Sequence, residues 1–494
     1  MPLALILLPA FAALVALILR SDRARRLLLV ATAVGHGILV VAAWAGCGSA
    51  AESAASWLGL GPAEIPFLGV TSLLFLATSI YAVGYLARET GAEHRDDEEG
   101  FLFQNTREAM FTGCLLLFLS TMTLVVVSRH FGLLWVAVEA TTLASAPLIY
   151  FHRHHRSLEA TWKYLLVCSV GIALALLGNF FLAGAVPHGS SHAAMTQSAL
   201  VAGATSLNPA WLKAAFVLIL VGYGTKMGLA PLHTWLPDAH SEAPSVVSAL
   251  LSGALLNCAL LAILRTHSVC VAAGLGDFSG GLLVLLGLVS MGVAAAFLVQ
   301  QADYKRMLAY SSVEHMGVMS LGWGVGGTAA LGAGLHMMGH SLAKGMLFLA
   351  AGNLLAAWRT KQISEVNGAI RVLPVTGALW VAGFAAIAGL PPFGLFLSEL
   401  RILQGMIERG RFMEAALYLA LLAVVFVAMA RVVLRMAFGA PVPGAKAVAT
   451  QREPLSAVLP PFALGLGALA LGLWIPAGIE RLLREMLLVL GGGR

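Results

Sequence analysis

The stretch VGYGTKMGLAPLHTWLPDAH, residues 221–240, sets Lys226 near the end of an apolar run, with Pro231 shortly after it and Gly222, Gly224 and Gly228 around it. Proline removes a backbone donor and clashes with the preceding turn, so a helix through this stretch breaks or kinks just past the lysine. In lipid such a break survives only where protein or a water-lined cavity satisfies the freed backbone groups. A charge at the membrane centre costs from about 2.5 to over 10 kcal/mol, so Lys226 needs a partner, water or a purpose. The stretch reads as a broken transmembrane helix carrying a buried, titratable charge.

The rest of the chain agrees. Of 494 residues, 59% are hydrophobic and 11% charged, and the mean hydropathy is +0.87. A soluble domain carries about 25% charged residues, so most of this surface faces lipid. The net charge of +6 is spread over loops, which excludes a nucleic-acid-binding block. Cys47, Cys114, Cys168, Cys258 and Cys270 are scattered, without CxxC or a Cys/His cluster, so neither an iron–sulfur nor a zinc site is expected.

An apolar run of about 20 residues spans the hydrocarbon core. Fourteen such runs are predicted, at 2–19, 27–46, 67–87, 109–128, 131–150, 160–184, 211–230, 244–264, 279–299, 307–326, 329–356, 373–402, 413–437 and 457–481. The first lacks a basic leader and reads as a retained helix rather than a signal peptide. The basic residues gather in odd-numbered loops: Arg20, Arg23, Arg25 and Arg26, then Arg153 and Arg156, Lys305 and Arg306, Arg359, Lys361 and Arg371, and Lys446 and Arg452. Even-numbered loops hold only Arg129, Arg265, Arg409 and Arg411. The positive-inside rule then places those odd loops in the cytoplasm and both termini outside. The acidic loop with Glu93, Asp96, Asp97, Glu98 and Glu99 is a solvated loop or a docking surface.

Other charges lie inside spans. Glu139, in FGLLWVAVEATTLASAPLIY (131–150), is too deep to snorkel; it either pairs to lock two helices or takes part in proton movement. Lys163, near the start of the sixth span, is a weaker candidate. His336, His340 and Lys344 recur every fourth residue, one stripe rising about 6 Å per step. Such a stripe reads as a proton relay, with hydrogen-bonded helix glue as the plainer alternative; a metal site lacks a third ligand nearby in sequence. In GLPPFGLFLSELRIL (389–403), Pro391 and Pro392 interrupt the twelfth span ahead of Glu399. Two proline-broken spans, each with a charge at its break, point to an ion pathway built from repeats. Two loop segments, with His233, Asp238, His240 and Glu242 and with Asp303, Lys305, Arg306, Glu314 and His315, are read as polar rims that admit protons or as caps and anchors.

KMGLAPLHTWLPDAHSEAP (226–244), DYKRMLAYSSVEHMG (303–317), GHSLAKGMLFLAAGN (339–353) and GLPPFGLFLSE (389–399) resemble the antiporter-like subunits shared by respiratory complex I, Mrp-type cation/proton antiporters and group 4 membrane-bound hydrogenases. The resemblance covers about 113–435. It implies an all-α integral membrane protein of 14 helices, with two inverted five-helix repeats (spans 4–8 and 9–13), broken helices 7 and 12, and a hydrated axis along the membrane plane. The organisation it implies is 1–108 for helices 1–3 with the acidic loop, 109–264 and 279–437 for the repeats, and 438–494 for helix 14.

By the same resemblance Glu139 is similar to the family's fifth-helix glutamate, Lys226 to its seventh-helix lysine, Lys344 to the central lysine and Glu399 to the twelfth-helix lysine or glutamate. Asn257 stands where some members carry a lysine, leaving water or His240 for that step. Stretch 131–165 resembles the F component of hydrogenase-4 and formate hydrogenlyase-type complexes, and the long lateral helix of the L-type or B-type subunit is not expected here.

The implied function is proton translocation in a redox-driven complex of the bacterial inner membrane. No cofactor is expected in this chain; Ni–Fe and Fe–S centres would sit in partners. The implied partners are further antiporter-like subunits, a quinone-site-like H-type subunit and a soluble hydrogenase arm, with lipid around them and protons or Na+ as the ion. A complex I M-type subunit, an Mrp-type sodium/proton antiporter subunit, a non-pumping scaffold and a membrane-embedded enzyme are the alternatives.

Overall fold

The computed structural model describes residues 1–46, 56–89, 93–95 (backbone only), 102–187, 195–440 and 452–493. Cys47, the acidic residues Asp96 to Glu99 and Lys446 lie outside these. Among the described residues, eleven helices are long and apolar enough to cross a membrane. Three more spans complete the set: Pro2–Ile18, the more polar Tyr304–Val325, and a span in two parts, Pro374–Ile387 and Gly394–Glu408. Numbered in chain order these are the fourteen expected spans, and the protein is an all-α integral membrane protein. A two-stranded hairpin, Glu93–Arg95 with Leu102–Gln104, lies in the loop after span 3.

Single antiparallel bridges join alternate loops. Asn105 pairs with His152 and Asp303 with Gln362 on the side of the odd loops, while Leu58 pairs with Ser128 and His130 with Thr196 on the other. Spans 4–8 and 9–13 are two sets of five. An odd number makes the second set start from the opposite face. The same neighbours pack within each set: span 6 lies on 7 as span 11 lies on 12, and span 5 on 6 as span 10 on 11.

The two broken spans share a local geometry. Span 7, Pro209–Met227, is capped at its start by Asn208 and ends at Gly228, whose φ of 82° is left-handed. The Leu229 amide then donates back to the Gly224 carbonyl at 2.9 Å. In span 12 Gly389 has φ 61°, and the Leu390 amide donates to the Ala385 carbonyl at 3.0 Å. A left-handed glycine with this return bond satisfies carbonyls that a helix end leaves bare. A cis X–Pro bond follows in both, at Ala230–Pro231 and Pro391–Pro392. After the first break the chain forms a short helix, Trp235–Glu242, whose Trp235 indole donates to the Thr225 carbonyl at 2.8 Å.

Three expectations are corrected. Span 8 runs from Ser245 to Ala272, through a π turn at Leu251–Leu255, so Arg265 is buried inside it rather than in a loop. Its guanidinium donates to Glu64 at 3.1 Å, to the Val126 carbonyl at 2.6 Å and to the Ser128 carbonyl. Glu64 also meets Arg129 at 3.3 Å. This knot closes the end of span 4, where bare carbonyls need donors. Span 14 ends at Leu473, and Ala477–Val489 is a separate helix with Glu480, Arg481, Arg484 and Glu485 on one face and buried Leu482, Leu483 and Met486 on the other. Pro476 and that polar face stop the apolar run from continuing. Glu314 and His315 lie buried well inside span 10 rather than at its rim.

Candidate functional site

The buried charges form two clusters. The first gathers spans 5, 6 and 7. Lys226 has no exposed surface; its ammonium donates to Thr142 Oγ1 at 2.8 Å and Tyr164 OH at 2.5 Å, and lies 4.5 Å from the Tyr164 ring centre. Thr142 Oγ1 donates on to Glu139 Oε2 at 3.3 Å, and Ser169 Oγ donates to Glu139 Oε1 at 3.2 Å. Tyr164 OH bonds Ser145 Oγ at 2.6 Å. Glu139, Thr142 and Ser145 recur every third residue, so one helix face presents all three. Glu139 and Lys226 are therefore joined through a hydroxyl, each one hydrogen bond from Thr142. Glu139 is half-buried, and Val136 and Leu143 on either side of it are exposed to the subunit's lateral surface.

The second cluster joins spans 10, 11 and 12. Glu314 and His315 sit three turns down span 10, fully buried, not at the rim as the sequence suggested. About 10 residues at 1.5 Å each put them some 15 Å below the helix start, near mid-membrane. Glu314 Oε2 is 3.2 Å from His315 Nε2. His315 Nδ1 bonds His336 Nε2 at 2.9 Å, and His336 Nδ1 bonds Ser398 Oγ at 2.9 Å. His340 lies ring to ring with His315 at 5.1 Å, and its nitrogens meet no hydrogen-bond partner among the described residues. Lys344 donates to the Leu308 carbonyl at 2.7 Å. The expected stripe of His336, His340 and Lys344 is thus one buried face, turned to span 10. Asn257 holds span 8 to this region by donating to Ser341 Oγ at 2.9 Å.

Glu399 ends the row. Its carboxylate lies over Gly389, in the space a β-carbon there would occupy, so the break needs glycine for its space as well as its φ. Ligand atoms of His315, His336 and Glu399 fall within 4.8 Å of one another, a set of imidazole and carboxylate donors that suits a divalent ion such as zinc. Both imidazoles already use all their nitrogens, however, on each other, Glu314 and Ser398. The group reads as a hydrogen-bond network.

Between the clusters lies His240, fully buried, with both ring nitrogens unpartnered among the described residues. Trp235 separates it from Tyr164, with ring centres 4.9 and 6.3 Å away, and Phe348 of span 11 lies 5.5 Å on. His233 packs against Phe297 and Tyr310. Lys163 is half-exposed and belongs to the rim: it meets Glu159 at 2.6 Å and Asp238 at 3.0 Å, and Asp238 meets Arg306 at 2.8 Å. On the same rim Glu242 meets Lys361 at 2.6 Å, and Lys305 donates to the Ser241 and Ala243 carbonyls at 3.0 and 2.5 Å. Burial pushes the Glu242 carboxyl up, but the Lys361 ammonium outweighs it, with help from Lys305 and His154, and holds it below the usual carboxylate range. Thr142, Tyr164, Ser398 and the Glu64–Arg265 knot escaped the sequence reading.

A multi-pass helical bundle with two matching broken helices and a buried Glu–Lys–His–Lys–Glu row defines an antiporter-like membrane subunit. Residues 128–427 match the family described as NADH:quinone oxidoreductase/Mrp antiporter, TM, and the chain belongs to that family. A hydrogenase-4 component F homolog of Methylacidiphilum infernorum is 38% identical over 416 residues, covering 84% of each chain. Two solved structures share the fold: a chain of an archaeal membrane-bound sulfane sulfur reductase complex, at TM-score 0.85 and 21% identity over 100% of this chain and 99% of that one, and a chain of the Mrp complex from a Dietzia species, at 0.82 and 20% over 100% and 97%.

Proposed function

We propose that this chain translocates protons as the antiporter-like subunit of a redox-driven membrane complex of the hydrogenase-4, group 4 [NiFe]-hydrogenase kind. The observation that supports this best is the row of charged and imidazole groups, buried across spans 5 to 12, whose two ends are the part-buried carboxylates Glu139 and Glu399. Burying so many ionisable groups is costly, and a purely structural bundle gains little from it. The relative at 38% identity supports the hydrogenase assignment. Partner membrane subunits and a soluble hydrogenase arm carrying the Ni–Fe and Fe–S centres would supply the driving reaction. The odd-numbered basic loops would face the cytoplasm of a bacterial inner membrane, with both termini outside.

In this mechanism Glu139 receives the signal at the lateral surface. A charge change in a neighbouring subunit draws Glu139 from Thr142, the hydroxyl bridge to Lys226 opens, and the lysine proton becomes free to move. It passes by His240 toward Lys344, His340 and His315, and leaves through Glu399. Moving one charge against 100 mV costs about 2.3 kcal/mol, which the redox reaction must provide.

The test is redox-driven acidification by the parent complex in sealed liposomes, with and without Na+. Proton uptake that persists in Na+-free buffer and collapses with a protonophore supports the reading. Uptake that requires Na+ supports a sodium/proton antiporter instead, and none at all supports a scaffold.

A further inference from the structure

We propose that Ser398 is a positioning residue that fixes which nitrogen of His336 carries its proton, and so gives the Glu314–His315–His336 row a single direction. Ser398 is fully buried on the second half of span 12, beside Glu399. Its Oγ lies 2.7 Å from the Leu395 carbonyl and 2.9 Å from His336 Nδ1. A serine hydroxyl has one proton to give, and a carbonyl only accepts. We place that proton on the Leu395 carbonyl, the nearer of its two neighbours at 2.7 Å, so Ser398 accepts from His336. His336 therefore carries its proton on Nδ1.

The assignment propagates. A neutral His336 with a proton on Nδ1 has a bare Nε2, which accepts from His315 Nδ1 at 2.9 Å. His315 Nε2 then faces Glu314 Oε2 at 3.2 Å, and one proton is shared between them. Every hydrogen bond points the same way, from Glu314 through His315 and His336 to Ser398. The row ends on a carbonyl that cannot take a proton, so a moving proton cannot leave through Ser398. The next acceptor is the Glu399 carboxylate, one oxygen of which lies within 4.8 Å of one ring nitrogen of each histidine without a hydrogen bond to either, so this last transfer takes a side-chain movement or a bridging water.

The transfer balances. Glu314 gives its proton to His315 Nε2, and His315 releases its Nδ1 proton to His336 Nε2. His336, now carrying two protons, passes the one received on Nε2 to Glu399 and keeps the one on Nδ1. His336 thus returns to its starting tautomer, because Ser398 holds it there, while His315 is left with its proton on Nε2 and Glu314 ionised. His315 must recover its Nδ1 proton and Glu314 be reprotonated before the row passes another. Partners that fix a histidine's tautomer through its second nitrogen act in this way at other sites. Without the serine hydroxyl, either His336 nitrogen can carry the proton, and the row can face backwards.

The transport half of this inference rests on the proton-translocating reading; the tautomer half does not. The experiment is therefore double, on the intact complex in lipid, with histidine ring nitrogens labelled with 15N and the His336 signal assigned by its loss in His336→Asn. Nitrogen NMR distinguishes the two neutral tautomers. Wild type and Ser398→Thr are expected to show His336 protonated on Nδ1, and Ser398→Ala a mixture. Proton uptake per redox turnover should fall about 10-fold in Ser398→Ala, the scale of losing an orienting partner, and stay near wild type in Ser398→Thr. A wild-type His336 protonated on Nε2 overturns the inference, as does an unchanged tautomer in Ser398→Ala, or unchanged uptake despite a changed one. A wild-type complex that moves no protons refutes the proposed function while leaving the tautomer result to stand or fall alone.

Discussion

Replacing Thr142 by valine isolates the bridge between the acid and the lysine. Valine keeps the shape of threonine and removes its hydroxyl. Lys226 loses a 2.8 Å bond and keeps Tyr164, while Glu139 loses a 3.3 Å bond and keeps Ser169. A hydrogen bond to a charged group contributes about 1.5–3 kcal/mol. Counting the shorter bond to Lys226 alone, at 1.4 kcal/mol per factor of ten, the arrangement that holds Lys226 beside Glu139 becomes about 10- to 150-fold rarer. The assay is redox-driven proton uptake in proteoliposomes, normalised to electron transfer. Thr142→Val should lose uptake about 10-fold or more, while Thr142→Ser, which restores a hydroxyl, stays within about twofold. A double-mutant cycle with Glu139→Gln should show coupling of the same 1.5–3 kcal/mol order. Additive effects, or wild-type uptake in Thr142→Val, would show that the hydroxyl does not couple the two charges.

Three further outcomes follow from the geometry. Gly389→Ala puts a β-carbon into the Glu399 carboxylate at a residue with φ 61°, and should abolish uptake in an assembled complex; Gly410→Ala, at φ 69° with open space around it, meets only the strain and should retain uptake. Loss in both, or in neither, would refute the role given to Glu399's position. Arg265→Met leaves Glu64 with Arg129 and the Gly61 amide and takes the guanidinium donors from the Val126 and Ser128 carbonyls; breaking a buried pair costs about 3–5 kcal/mol, so the purified protein should unfold at lower temperature, and an unchanged unfolding temperature would show the knot to be idle. Glu242 has its folded-state carboxyl held below the usual range, so its contribution to stability is present above the unfolded value near pH 4.3 and is lost as pH falls through the lower folded one. Thermal scans should therefore show wild type more stable than Glu242→Gln at neutral pH, with the gap closing under acid; a constant gap would contradict the ion pair with Lys361.

The letters revealed the breaks because glycine and proline act through the backbone, which any sequence displays. Gly228-Leu229-Ala230-Pro231 and Gly389-Leu390-Pro391-Pro392 are nearly the same phrase, and both fold into the same turn. The His336, His340 and Lys344 stripe was legible because charge is conspicuous in an apolar run. Thr142, Tyr164 and Ser398 were not, since a neutral hydroxyl inside a span raises no alarm and its partners come from other helices. The one available signal was spacing: Thr142 lies one turn from Glu139, and Ser398 adjoins Glu399. Arg265 was misread because it sits near a span's end, where arginines usually snorkel to water. Glu314 and His315 were placed at a rim because the charged start of span 10 masked how far the helix continues inward.

The central claim is tested most directly by Lys226→Ala in the intact complex, reconstituted into liposomes, with redox-driven proton uptake followed beside electron transfer. Lys226 is fully buried and holds the first cluster together through Thr142 and Tyr164. The account predicts that uptake falls while electron transfer and assembly survive. Unchanged uptake and turnover would contradict it, leaving Lys226 a structural residue and the route from Glu139 to Glu399 unsupported.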